Sequence, residues 1–535
     1  MNFCTNMSVS KPGVRSAQGV CVAQNTRAAG IGAEILANGG SAFDAAVAVS
    51  FALGVLEPWM SGIGGGGGLL FRDGASDAVQ TIDFGLVAPA GLDPDIYRLE
   101  PGYSNDMFPW RNVQENRNSS GIHSVATPGV IAGMGRLHAH GGRMPWRDLL
   151  APAIELAREG VRSDWYAQVF VSTCMGKLRD DPALCQTFLP GGLPPAAAGL
   201  AAGQAGWRLS ALADTLEQLA HCGWEDFYCG DLATSIASEV RDAGGSLGLS
   251  DLGAYEAHQN AAQSTAFRDA KVFLSPGLSS GKALARALEL MPVTDSLGGV
   301  WFAEMAQALH QAQSERWRED GDGAGDDATV PKATDHDGTG KPVDCTTHFA
   351  VSDGQGNLIS VTQTILSAFG AGVMLPKTGI ILNNGMMWFD PEPGKPNSIA
   401  PGKRCLMNFA PTILNQGEAW SAIGAAGGRR ILSAVAQLIG FMVDHGRDGQ
   451  AALQAPRMDC SIAGKVTVPQ ELADLAEIGA KGLDLAVAPA LPWPLTYAIP
   501  SVLSVGSAGS TGYADPVSPW SGAVAPQGKN VRNTR

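Results

Sequence analysis

The chain has 535 residues, 45% of them hydrophobic and 16% charged, with a formal net charge of −14. That length and balance describe a globular protein with a large core rather than a disordered one. The acidic excess argues against a nucleic-acid partner. Nine cysteines scattered from Cys4 to Cys460 argue against a disulfide scaffold. None has metal-ligand spacing with histidines nearby, so neither a metal nor a cofactor is expected. Met1 to Ala17 has no apolar core and does not read as a secretory signal. The longest apolar run, Ala45 to Leu56, is shorter than the roughly 20 residues that span a bilayer and predicts a buried helix. A cytoplasmic protein with no membrane partner is the expectation.

Asn25 to Leu56 reads as helix, break, helix. Asn38-Gly39-Gly40 closes the first helix, because glycine accepts the left-handed backbone that ends helices. Ser41 stands three before Asp44, a capping box that opens the second. Glu57-Pro58 stops it, and the run Gly62 to Gly68 leads into a short apolar strand, Leu69 to Phe71. No Gly-Lys-Ser/Thr follows that run, so it reads as a packing turn and not a phosphate loop. Helical spacing returns at Trp146 to Glu159, Leu209 to Ala220, Leu232 to Ala243, Lys282 to Met291 and Trp301 to Trp317. The alternation of α and β patterns predicts a layered α/β unit. Glu319 to Val343 is rich in Gly, Asp, Thr and Pro and predicts an exposed, mobile linker. Gly506 to Arg535, rich in small and polar residues, reads as looser structure.

Directly after the linker, Thr346 to Ser352 and Leu358 to Thr364 alternate in period two around the turn Asp353-Gly354-Gln355-Gly356-Asn357. This is a hairpin signal with a five-residue loop. Pairing Ser352 with Leu358 puts Thr346 opposite Thr364, with Cβ atoms about 4.5–5.5 Å apart on one face. That face, with His348, Ala350, Ser360 and Thr362, is small or polar, and the other, with Phe349, Val351, Ile359 and Val361, is apolar. Thr346 therefore begins a strand, follows a linker and faces a polar surface with a hydroxyl partner. A threonine hydroxyl is a weak nucleophile; if the chain breaks before it, its own α-amine, titrating near 8, serves as the base. On these residues alone Thr346 is either such a nucleophile or an ordinary strand residue.

The stretch TTHFAVSDGQGNLISVTQTILSAFGAGVMLPKTGIILNN closely resembles the start of the small subunit of γ-glutamyltransferases. NGGSAFDAAVAVSFALGVLEPWMSGIGGGGGLL, SVATPGVIAGM, PWRDLLAPAIELAREG, GGSLGLSDLGAYEA, SPGLSSG, SIAPGKR and GAAGGRR follow the same family in order, over most of residues 15 to 460. The resemblance implies an αββα sandwich of the N-terminal-nucleophile type. It also implies self-cleavage between Cys345 and Thr346 into a large subunit, 1–345, ending in the linker 319–345, and a small subunit, 346–535, held together as a heterodimer. By position, Thr346 matches the family's nucleophile and Thr364 the threonine that hydrogen-bonds it. Gly427 and Gly428 match the pair whose amides line the oxyanion hole.

The departures fall where the family holds the glutamyl zwitterion. The family's arginine is Gly85 here, its paired serines are Met407 and Asn408, its acidic pair is Met387 and Trp388, and its asparagine two after Thr364 is Leu366. A lost charge-assisted contact removes about 1.5–3 kcal/mol. Arg429 is the candidate to hold a carboxylate instead, and Trp388 to supply an apolar wall. This pattern resembles the cephalosporin acylases of the family and implies an amidohydrolase or acyltransferase acting on glutaryl or γ-glutamyl amides. A glutathione-degrading γ-glutamyltransferase with rebuilt anchors is the first alternative. An uncleaved member that only binds small peptides or amino acids is the second.

Overall fold

A computed structural model of the chain describes residues 9–104, 109–195, 206–294, 296–323, 344–488 and 497–527. Two seven-stranded sheets lie face to face between two helical layers. The first sheet runs in the order Gly522–Val524, Gly19–Ala23, Asp344–Asp353, Leu358–Ser367, Gly66–Arg72, Val79–Phe84 and His258–Ala261, every neighbour antiparallel. Asp344–Asp353, which carries Thr346, is therefore a central strand. Helices Thr26–Ala37, Ala42–Leu56, Trp146–Glu159 and Ser210–Cys222 cover its outer face, and Gly281–Leu290, Gly299–Glu319 and Ile431–Val443 cover the second sheet. Val20, Leu70, Ala350, Ile413 and Leu503 fill the seam between the sheets. The αββα expectation is met.

Local signals explain the elements near the site. Asn25 caps the first helix on Arg27 N, and Ser41 and Asp44 form the expected capping box. The helix Ala42–Leu56 is buried along its whole length, since it runs between the first sheet and the outer helices. The glycine run packs as expected: a Cβ on Gly64 would lie 2.2 Å from Ile381 O, and one on Gly65 2.3 Å from Thr364 O. No helix among the described residues is long and apolar enough to cross a membrane.

Some of these expectations need correction. The hairpin pairs Ser352 with Leu358 and His348 with Thr362, but its register then shifts, and Cys345 pairs with Leu366. Thr364 and Ile365 together face Thr346, so the direct Thr346–Thr364 pair is replaced by a bulge. Leu366 takes a φ of 81° there, a left-handed backbone that an asparagine tolerates better than a leucine. The small, polar hairpin face lies in the buried seam between the sheets, where a Cβ on Gly424 would come within 2.1 Å of His348 Cε1. The proposed linker has ordered ends. Glu319 closes a helix, Asp320 is buried on Lys282 at 2.6 Å, Gly321 packs on Pro396, and Asp344 and Cys345 lie in a strand; residues 324–343 lie outside the described residues. Gly506 to Ala525 is likewise no loose tail. Gly509–Ala514 and Gly522–Val524 join the two sheets, because glycines such as Gly512 admit the valines of Gly19–Ala23 beneath them.

Candidate active site

Thr346, 4% exposed, is the third residue of the strand Asp344–Asp353, at that strand's N-terminal end. The Thr364 hydroxyl donates to the carbonyl oxygen of Cys345 and accepts from Leu366 N at 2.8 Å. The bulge is what allows this. It turns Thr364 onto the peptide bond that precedes Thr346, where a hydrogen bond to the carbonyl oxygen polarises the carbon for attack. His348, two residues on, is no rival base. Burial depresses its pKa to about 3, and its Nδ1 is 3.0 Å from Thr362 Oγ1.

The strand Asp344–Asp353 packs on the turn Gly428–Arg430, at the end of the strand Ala419–Ala426. Gly427 and Gly428 have φ values of 139° and 54°, and a Cβ on Gly427 would lie 2.8 Å from Ala498 Cα. Gly427, with that φ and that contact, is a position that suits only glycine. Arg430 braces the turn, its N and Nε donating to Gly427 O at 3.1 and 3.2 Å. Arg429 and Arg430 both face the buried carboxyl of Asp459; burial raises its pKa and the two guanidiniums oppose that rise.

The substituted anchor positions converge. Leu366, Met387, Trp388 and Met407 belong to one buried apolar cluster with Leu86 and Phe409. Trp388 sits in the turn Gly385–Trp388, tied to the hairpin by Asn384, whose Nδ2 donates to Ser367 Oγ at 2.9 Å. A Cβ on Gly85 would be 2.2 Å from Met407 Cε, so the methionine fills the space that a side chain at 85 needs. Gly85 O accepts from Tyr255 Oη at 2.7 Å.

Two residues that the sequence analysis passed over support this site. Arg316 was only part of a helical pattern, yet it is buried and donates from Nη2 to Met407 O at 2.6 Å and from Nη1 to Asn408 Oδ1 at 3.1 Å. Burial lowers its pKa to about 10, so it stays charged. With Oδ1 taken, Asn408 Nδ2 is buried and has no hydrogen-bond partner among the described residues. The only advance signal for Arg316 was a cation on a stripe with Ala312 and Trp317.

Glu57 read as a helix stop. It is buried behind Thr347, and burial raises its pKa from 4.5 to about 8, against weaker pulls from Asn25 and Thr347. Between those values the folded chain binds more protons than the unfolded one. The stability that Glu57 contributes is thus complete below its unfolded pKa and is lost as pH rises through about 8. Glu57→Gln is expected to gain on the native protein across that window by up to about 1.4 kcal/mol per pH unit. Denaturant melts at several pH values read this directly; parallel profiles would refute it.

The fold superposes on a cephalosporin acylase from Bacillus halodurans with a TM-score of 0.84 over 98% of this chain and 99% of that one, at 24% identity. Thr346 near the start of a central strand of an αββα sandwich, with a glycine turn beside it, is an arrangement that suits an N-terminal-nucleophile amidohydrolase or acyltransferase. The Gamma-glutamyltranspeptidase family profile matches residues 28–337 and 324–474. The Acylase ACY 1 proenzyme of Pseudomonas sp. (strain SE83) is 32% identical over 486 residues, 85% of this chain and 84% of that one. The Glutathione hydrolase proenzyme of Escherichia coli (strain K12) is 30% identical over 489 residues, 83% and 81% of the two chains. This protein belongs to the gamma-glutamyltranspeptidase family.

Proposed function

We propose that the chain cuts itself between Cys345 and Thr346, and that the freed Thr346 then cleaves glutaryl amides in preference to γ-glutamyl amides. In the first step the Thr346 hydroxyl adds to the Cys345 carbonyl carbon, polarised by Thr364. The peptide C–N bond breaks, the nitrogen becomes the Thr346 α-amine, and water hydrolyses the resulting ester. The fragments 1–345 and 346–535 stay together as a heterodimer, because both contribute hydrogen-bonded strands to each sheet. In turnover the α-amine takes the hydroxyl proton, the Thr346 oxygen attacks the substrate carbonyl, and the amides of Gly427 and Gly428 receive the oxyanion; the amide C–N bond then breaks, the protonated α-amine returns its proton to the leaving nitrogen, and the free amine departs from the Thr346 ester. The acyl group leaves the ester to water or to an amine.

The observation that carries the acyl preference is the apolar cluster in place of the zwitterion anchors, with Met407 seated against Gly85. A γ-glutamyl ammonium beside Trp388 would lose its hydration with no carboxylate to meet it, although an aromatic face returns about 0.5–2 kcal/mol. A glutaryl group carries no ammonium. Its carboxylate has Asn408 Nδ2 and the Arg429 guanidinium as partners in this reading. Glutaryl and γ-glutamyl p-nitroanilides, compared at one pH, test it. The glutaryl compound is expected to show a kcat/KM at least about tenfold higher, one charged contact of about 1.4 kcal/mol. Equal or better turnover of the γ-glutamyl compound establishes the glutathione-hydrolase reading instead.

A further inference from the structure

The bond before Thr346 lies over a buried acid that the steps described so far do not use. Gly19–Ala23 pairs with Asp344–Asp353 through Ala23 and Phe349, so two steps further Asn25 stands beside Thr347. Glu57, at the end of the helix Ala42–Leu56, closes beneath them from the helical side. It is 2% exposed, and both Asn25 and the Thr347 side chain act on its carboxyl. Glu57 Oε2 and Thr347 Oγ1 are each buried without a full hydrogen bond among the described residues. Cys345 shares this face: it packs in the helical core, and the Tyr166 hydroxyl feels both Cys345 and Glu57. Cys345 and Thr347 therefore point toward the helices, and Thr346 and His348, by alternation, toward the seam.

We propose that self-cleavage requires Glu57 in its neutral form, so that the proton on this carboxyl gates maturation. The assignment rests on the cut between Cys345 and Thr346 proposed above. When the Thr346 oxygen adds to the Cys345 carbonyl, negative charge settles on the carbonyl oxygen that Thr364 bonds. Thr347, on which Glu57 closes, is the next residue, its Cα about 3.8 Å from that of Thr346. A carboxylate there would oppose the new charge across buried protein, where screening is weak. No cation offsets it. Arg27, Arg162 and Arg208 line an outer cleft beside Asn25 and Leu56, but only burial, Asn25 and Thr347 shift the Glu57 carboxyl. A neutral carboxyl brings no such repulsion, and burial favours it, raising the pKa to about 8. The Thr346 hydroxyl proton passes through water to the departing nitrogen, so Glu57 keeps its own proton throughout. The neighbouring groups hold their charge between pH 6 and 9. Burial pushes Tyr166 further up and His348, on the other face, down to about 3. Asp164 and Asp515, which also act on Tyr166, are engaged with Trp520 Nε1 and with Arg457.

The test follows full-length chains, pulse-labelled in cell-free synthesis and shifted to buffers between pH 6 and pH 9, as they become two fragments. The native cleavage rate is expected to fall about tenfold from pH 7 to pH 9, the ratio of the neutral fractions of a group titrating near 8. Glu57→Gln, whose amide stays neutral, is expected to lose that decline, with rates at the two pH values within about twofold of each other. A flat native profile, or a decline that Glu57→Gln retains, overturns the assignment and leaves self-cleavage standing. A decline that tracks unfolding of the uncut Thr346→Ala chain over the same range also overturns it, because the cause is then lost structure. A native chain that stays whole at every pH overturns the self-cleavage reading and this one together.

Discussion

Thr346→Ala is expected to yield one uncut chain with no amidase activity. The alanine has no oxygen to add to the Cys345 carbonyl, so the bond that Thr364 polarises stays intact. Without the cut there is no α-amine at 346 to act as base, and His348 is too weakly basic and too deeply buried to replace it. Nucleophile and base are thus lost together, and loss of such a unit costs about 10³–10⁶ in kcat. The native protein is expected to run as two bands, the smaller beginning Thr-Thr-His-Phe. The variant should melt near the native temperature, because removing one hydroxyl and one methyl near the strand's end leaves the seam between the sheets packed. Gel bands, N-terminal sequencing and turnover of one anilide decide it. Cleavage or turnover in the variant moves the nucleophile elsewhere, with Thr347 the first suspect.

Gly85→Arg is expected to damage the protein by itself and to be tolerated only with Met407→Ser. An arginine at 85 places its Cβ 2.2 Å from Met407 Cε and 2.8 Å from its sulfur. The methionine is 1% exposed, and its backbone oxygen is held by Arg316, so it has little room to move. Overpacking of this kind costs about 1–3 kcal/mol. Serine at 407 frees the space and restores a hydroxyl where relatives have one. The double variant is expected to recover most of the lost stability and to shift the glutaryl to γ-glutamyl ratio toward γ-glutamyl by about tenfold or more. Denaturant melts and paired p-nitroanilide kinetics read both effects. A single variant as stable as the native protein would show that positions 85 and 407 are not coupled.

The coupling of Gly85 and Met407 shows where sequence reading ends. Both were visible as departures from the family, 322 positions apart, but their contact was not. The same holds for Leu366. Its place two after Thr364 was legible, whereas the positive φ and the bulge arise from fitting the strand end between Gly65 and Cys345. Glu57 and Arg316 looked like a helix stop and a helix charge. Their burial depends on what packs across them, Thr347 for one and the Met407–Asn408 segment for the other. What the small, polar face of the hairpin meets was also not legible, for a related reason. Small and polar side chains face solvent or a close-packed second sheet equally well, and period two records only that the faces differ.

The sequence by itself determined what is local and what is carried by motif: the capping box at Ser41, the helix Trp146–Glu159, the hairpin turn at Asp353–Asn357, the candidate nucleophile Thr346 and the glycine pair at 427 and 428. Each is set by backbone preference or chemistry within a few residues. Only the tertiary structure decided that the polar hairpin face is a buried seam, that Thr364 bonds the Cys345 carbonyl, and that Leu366, Met387, Trp388 and Met407 form one apolar cluster. Those facts depend on residues hundreds of positions apart meeting at strand spacing. Periodicity along the chain carries no information about which distant segment completes the contact.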